Sequence, residues 1–207
     1  PTDPSALSKH KVGELQSAFG YLRRQAWTNP ILADADRLKN DQASSSSVVT
    51  TISTFLAQPD FARNITITPG GTTSSVPGAD VTVTGTNIRG EVISEDITLT
   101  ENGSSLVSGL KAFKTVTSIV LPIQDGAGAT YDIGVGDVLG LDRAMSEDGV
   151  LYMTADGVQE TTRPTVTYSA TDVALNTVNP NTSLDGAVDF KAVFVSTEKT
   201  AKVGTSA

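Results

Sequence analysis

Apolar and polar residues alternate along most of the chain from residue 48 onward, which is the pattern of β-strands with one buried face. In the stretch VTVTGTNIRGEVISEDITLT, the alternation places Val81 and Val83 on one face of a strand and Thr82 and Thr84 on the other. Similar stretches are separated by turn signals such as Asn102–Gly103. The pattern predicts a mainly β protein, with a β-sandwich or jelly-roll-like body and an N-terminal helical or extended arm.

Residues 5–27 have a different pattern, with apolar positions spaced three and four residues apart as on one side of an amphipathic helix. The predicted apolar stripe consists of Val12, Leu15, Phe19, Leu22 and Ala26, and the opposite side carries Lys9, Lys11, Arg23 and Arg24. Gly13 and Gly20 weaken this helix, so it needs a surface to pack against. Two surfaces fit: the β body of the same chain, or another subunit.

The segment ILADADRLKNDQASSSSVV follows Asn29–Pro30 and ends in a run of serines, so we interpret it as a linker that closes near Ser47. Three segments are therefore expected. Residues 1–47 form an N-terminal arm with a short amphipathic helix and linker, and residues 48–141 form the β-sandwich body. Residues 142–207 add either further strands of the same body or a small second β lobe with a C-terminal tail.

The charge of the chain argues against one class of partner, the nucleic acids. From residue 48 onward the chain carries nine Lys and Arg against eighteen Asp and Glu. Such an acidic body lacks the clustered cations that neutralise DNA or RNA phosphates. No apolar run approaches the roughly 18 residues of a membrane span, and the first residues lack the layout of a secretory signal. We expect a soluble protein made in the cytoplasm, with no membrane partner.

Residues that could support catalysis or metal binding are few. The chain has no cysteine, and its one histidine, His10, lies among lysines on the predicted helix. Adjacent carboxylates such as Glu95 and Asp96 point to opposite faces of a strand and cannot converge on one substrate. The glycine-rich loop DGAGAT lacks both the following lysine and the helix of a phosphate-binding loop. We therefore expect no enzyme activity, no cofactor, no metal and no catalytic residue.

Three segments within residues 58–122 carry a resemblance to a known family: QPDFARNITITPGG, VTVTGTNIRGEVISEDITLT and GLKAFKTVTSIVLP. They resemble the head decoration, or capsid cement, proteins of tailed bacteriophages. The loop Asn87–Gly90 departs from the tight turn that relatives often have at this place. The resemblance implies a β-rich structural protein without catalytic residues. It further implies a homotrimer that sits on the outer surface of the virion capsid, binds the major capsid protein and stabilises the shell.

These observations lead to one hypothesis and two alternatives. The hypothesis is a phage decoration protein whose partner-binding residues are Val12, Leu15, Phe19, Leu22, Arg23, Arg24, Trp27 and Arg89. The first alternative is another phage structural component, such as a tail or baseplate protein. The second, from another class, is a carbohydrate-binding or adhesin module, which would need exposed aromatic rings that this chain largely lacks.

Overall fold

The computed structural model describes residues 20–198 and shows a mainly β protein, with 50% of residues in strands and 3% in helix. Fourteen strands lie within the described residues. They are β1 Tyr21–Trp27, β2 Asp34–Ala43, β3 Thr50–Ile52, β4 Arg63–Gly71, β5 Asp80–Thr86, β6 Val92–Thr98, β7 Val107–Phe113, β8 Thr115–Leu121, β9 Ala129–Gly140, β10 Val150–Ala155, β11 Val158–Gln159, β12 Thr165–Thr167, β13 Thr177–Asn179 and β14 Phe190–Ser196. Two 3₁₀ turns, Thr73–Ser75 and Val173–Leu175, are the helical elements of this part of the chain.

The strands form three antiparallel sheets, which we name I, II and III. Sheet I has the order β1-β14-β10-β11. Sheet II has the order β12-β13-β9-β4-β7, with β2 also paired to β9. Sheet III has the order β3-β8-β5-β6. Strand β9 is twelve residues long and organises the centre of the molecule. It pairs with β4 along one edge, and along the other edge with β2 between Thr130 and Val135 and with β13 at Leu139 and Gly140.

Two hydrophobic clusters form the core. The first contains residues of sheets II and III, among them Ile65 and Ile133 from sheet II and Val83 and Ile119 from sheet III. The second lies under sheet I and includes Trp27, Met153, Phe190 and Phe194, together with Leu139 at the end of β9. The predicted alternation in β5 is confirmed: Val81 and Val83 are fully buried, and Thr82 and Thr84 lie on the other, partly exposed face.

The helix predicted over residues 5–27 is wrong for its last part, because Tyr21–Trp27 is strand β1. This strand pairs with β14 in register from Tyr21 opposite Ser196 to Trp27 opposite Phe190. The side chain of Gln25 adds contacts to the main chain, with Nε2 donating to the Gly140 carbonyl at 2.8 Å. Pairing with a distant strand thus overrides the local helical spacing. Residues 5–19 of the predicted helix lie outside the described residues.

The linker prediction is also wrong for Asp34–Ala43, which is strand β2 and pairs with β9 with two register shifts. The side chain of Leu38 in its centre is fully buried in the first core cluster. The charged sequence of β2 hid this role because nine of its ten residues remain at least partly exposed. Strands β13 and β14 of the last third pair with β9 and β1 respectively. Sheet II therefore combines strands from all three predicted segments, and sheet I combines strands from the first and the last.

Candidate interaction surface

The outer face of sheet I is an exposed surface with an apolar centre. Cross-strand pairing arranges its side chains in rows: Leu22 beside Val195, Arg24 beside Val193 and Tyr152, and Ala26 beside Lys191 and Thr154. Leu22 is 67% exposed and Tyr152 is 39% exposed. The opposite face of the same sheet carries Trp27, Phe190 and Phe194 into the core. Sheet I therefore buries one apolar face and leaves a second one open to contact.

A bulge in β10 enlarges this apolar centre. The register between β10 and β14 shifts between Val150 and Tyr152, so Leu151 is an extra residue in the strand. Val150 and Met153 remain buried, whereas Leu151 and Tyr152 both project outward, with Leu151 56% exposed. A regular strand would have turned one of these two side chains into the core.

A shallow pocket of about 240 Å³ lies on this outer face, and its lining residues include two cations and one aromatic ring. The residues are Arg24, Tyr152, Thr154, Gly157, Lys191 and Val193. Among the eleven Lys and Arg of residues 20–198, only Arg24, Lys39 and Lys191 have neither an ion pair nor a hydrogen bond from the side chain. Two of these three line the pocket. On an acidic molecule, this places unpaired positive charge on the outer face of sheet I.

The structure brings together two of the predicted partner-binding residues, Leu22 and Arg24, on the outer face of sheet I. Arg23 points to the other side of β1, where its guanidinium lies 5.4 Å from the centre of the Tyr21 ring and Nη2 donates to the Glu198 carbonyl at 3.1 Å. Val12, Leu15 and Phe19 lie outside the described residues.

Trp27 corrects the prediction. The sequence predicts Trp27 to be a partner-binding residue, but it is 1% exposed and belongs to the second core cluster of its own chain. The reason is the strand geometry of β1: residues an odd number of positions apart point to opposite faces, so Trp27 is buried where Leu22 is exposed.

Arg89, at the tip of the β5–β6 hairpin, binds groups of its own chain. Its Nε donates to the Asp142 carbonyl at 2.9 Å, and its Nη2 bonds to the Glu198 carboxylate. These contacts fix the hairpin tip to the ends of β9 and β14. One quarter of the side chain remains exposed, and contact with a neighbouring subunit stays a prediction for this residue.

A second feature, which sequence reasoning missed, is a buried arginine at the start of β4. The Arg63 side chain is fully buried, with Nε donating to the Gly136 carbonyl at 2.8 Å and Nη1 donating to the Ile31 carbonyl at 2.8 Å. Nη1 also lies 3.2 Å from Asp60 Oδ1, and Nη2 lies 3.5 Å from Asp137 Oδ1. Arg63 therefore joins β4, β9 and the segment that connects β1 to β2.

A groove of about 450 Å³ lies beside Arg63 on the outer side of sheet II. Its floor includes Asn64 and Thr66, both 3% exposed, and the Thr66 hydroxyl has no hydrogen-bond partner among the described residues. Leu106 and Leu110 form an apolar rim on one side. The Asp137 carboxyl also lines this groove. The signal in the sequence that points to these buried polar residues is the pair Arg63 and Asn64, which directly precedes the strand pattern ITIT.

Glu95 connects sheets II and III near this groove. Its carboxylate, from β6, accepts the backbone N–H of Leu110 at 2.6 Å and that of Lys111 at 3.2 Å. Burial raises the pKa of Glu95 above its ordinary value of 4.5, and the two N–H groups oppose that shift. Lys111 in turn pairs with Asp172 at 2.9 Å.

The raised pKa gives a testable pH dependence. Because folded Glu95 holds its proton more tightly than unfolded Glu95, the stability it contributes is present below about pH 4.5 and is lost as the pH rises through the folded pKa. We expect the free energy of unfolding of the wild type, relative to Glu95→Gln, to fall over that range. Urea titrations of both proteins across the acid range measure this difference. Parallel pH profiles for the two proteins would contradict it.

Within residues 20–198 there is no group of three or more Asp, Glu or His placed to share a metal ion, and no helix of membrane-spanning length and hydropathy. Comparison with known proteins finds no matching family model, no matching curated protein and no matching solved structure.

Proposed function

We propose that this protein is a structural subunit of a tailed-phage virion, a decoration protein that binds the outside of the capsid and stabilises the shell. The observation that carries the proposal is the outer face of sheet I, an exposed apolar surface with two unpaired cations. Exposed apolar patches on a sheet are typical of surfaces that bind another protein. The resemblance of residues 58–122 to decoration proteins supplies the kind of partner.

The proposal includes the arrangement and the partners. Sheets II and III pack as a β-sandwich or jelly-roll-like body, the protein associates as a homotrimer, and the major capsid protein is the surface it binds. It needs no catalytic step, and it is compatible with a body whose acidic charge keeps it away from packaged DNA. Leu22 and Arg24 are the residues that we assign to the contact.

Binding to shells tests this proposal. Purified capsids of the source phage that lack this protein are mixed with the wild type, and occupancy is measured by sedimentation and electron microscopy. We expect saturable binding at positions of local threefold symmetry. Sixfold rings along the tail tube would support the tail alternative instead, and no binding to any virion part would exclude both.

Leu22→Asp is expected to lower the affinity for shells by roughly tenfold or more, which corresponds to about 1.4 kcal/mol lost at a central contact. The matched control is Val158→Asp, since Val158 is also an exposed apolar residue of sheet I, but its register opposite Ala155 places it on the other face. Both variants should retain the wild-type unfolding temperature. Equal binding by Leu22→Asp and Val158→Asp would remove the outer face of sheet I from the contact.

A further inference from the structure

The turn between β6 and β7 contains a reactive pair of residues, Asn102 and Gly103. Asn102 has a positive φ of 55° and is exposed at the surface. Its backbone N–H donates to the Val76 carbonyl at 3.0 Å, which holds the turn in place. Its side-chain amide has no hydrogen bond to any residue that the structure describes. It is also the only asparagine in the chain that precedes a glycine.

Asparagine is among the least chemically stable residues, because the backbone nitrogen of the following residue can attack its side-chain carbonyl carbon. Two conditions control that attack at any site: freedom of the side chain to rotate, and access of the nitrogen. Asn102 meets the first condition, since nothing in residues 20–198 holds its amide. At Gly103 there is no Cβ to block the approach, and only one hydrogen bond, from its N–H to the Thr100 carbonyl at 2.9 Å, must open.

We propose that Asn102–Gly103 is a site of spontaneous deamidation in the folded protein. The Gly103 nitrogen loses its proton to solvent base and forms a bond to Cγ of Asn102. Nδ2 then takes up a proton from solvent, and the bond from Cγ to Nδ2 breaks with release of ammonia. Water then opens the resulting five-membered imide at either carbonyl. One product has aspartate at position 102, and the other has isoaspartate, in which the main chain runs through the former side chain.

The position of the turn gives the reaction a structural consequence. The new carboxylate adds negative charge beside Glu101 on an already acidic body. In the isoaspartate product the main chain is longer by one carbon between the contact with Val76 and Leu106 on the rim of the groove. The isoaspartate form should therefore weaken the Asn102 to Val76 hydrogen bond and shift the start of β7.

Peptide mapping of the intact, folded protein tests this inference. The protein is aged in mildly alkaline and in mildly acidic buffer, then digested with trypsin. The peptide of residues 90–111 contains Asn102 as its only asparagine, and the peptide of residues 144–191 contains Asn176, Asn179 and Asn181 as internal controls. We expect the mass increase of an amide-to-acid conversion in the first peptide, faster in alkali, and none in the second. An unchanged first peptide, or equal conversion in both, would overturn the proposal.

Asn102→Gly is the matched variant, because glycine accepts the positive φ of this position and has no side chain to react. Its aged sample should lack the acidic species that the wild type accumulates on anion exchange. Persistence of those species at the wild-type rate would place the reaction elsewhere. Any isoaspartate must be located to a particular peptide, because Asp125, Asp148, Asp156 and Asp185 also precede glycines and can form isoaspartate through the same imide.

Discussion

Replacing Arg63 with methionine is expected to lower the free energy of unfolding by roughly 3–5 kcal/mol, the usual cost of removing one partner from a buried ion pair. The guanidinium is fully buried, and its donors serve the carbonyls of Gly136 and Ile31 as well as the Asp60 carboxylate. Methionine fills a similar volume but donates nothing, so two carbonyls and the carboxylates of Asp60 and Asp137 lose the guanidinium as a partner.

Urea unfolding of the variant measures the loss, and Arg37→Met provides the control. Arg37 lies on β2 with a partly exposed side chain, donates to the Gln58 carbonyl at 2.8 Å and approaches Asp34 at 3.9 Å. An ion pair of this kind contributes about 0–1 kcal/mol. A cost for Arg63→Met no larger than that for Arg37→Met would mean that the buried guanidinium does not join β4 to β9 as described.

Sequence patterns can predict those strands that bury only one of their two faces. In β5, each valine is buried and each threonine lies on the other, partly exposed face, and the neighbouring β6 pairs with it in register, Thr82 opposite Asp96. Alternation of this kind is encoded locally, because each residue's environment follows from its parity in the strand. The mainly β class of the protein could be predicted for the same reason.

Strand β1 could not be predicted in this way. A spacing of four residues, as between Leu22 and Ala26, places side chains on one face of a helix and also on one face of a strand. What separates the two structures is the partner β14, which lies at the other end of the described chain and pairs with all of β1. Such a distant pairing leaves no trace in the local spacing.

The interaction surface was predictable only in part. A helical pattern predicts Leu22 and Arg24 as contact residues, whereas they share a surface because they are two residues apart on a strand. Tyr152 and Lys191 joined them through pairings with β14 and through the bulge in β10. Buried polar residues such as Asn64 were hidden because β4 is covered on both faces, which follows from tertiary packing and not from the pattern of β4.

Trp27→Ala is expected to lower the free energy of unfolding by about 3–5 kcal/mol, the range for truncating a large buried aromatic residue. The indole is 1% exposed and packs in the second core cluster with Phe190, which lies opposite it on β14. Its Nε1 has no hydrogen-bond partner among the described residues, so the loss comes from packing. Thermal and urea unfolding of the variant measure the cost.

Leu22→Ala is the paired experiment on the same strand, and it should change stability by no more than about 0.5 kcal/mol, because Leu22 is 67% exposed. Together, the two substitutions distinguish strand β1 from the helix that the sequence pattern predicts for these residues. In that helix, Leu22 belongs to the buried apolar stripe, and truncating it would be the costly change. In β1 the order is reversed, since Trp27 faces the core and Leu22 the outer face of sheet I. A larger loss of stability for Leu22→Ala than for Trp27→Ala would support the predicted helix instead of strand β1. It would also contradict the proposal that the outer face of sheet I is a docking surface.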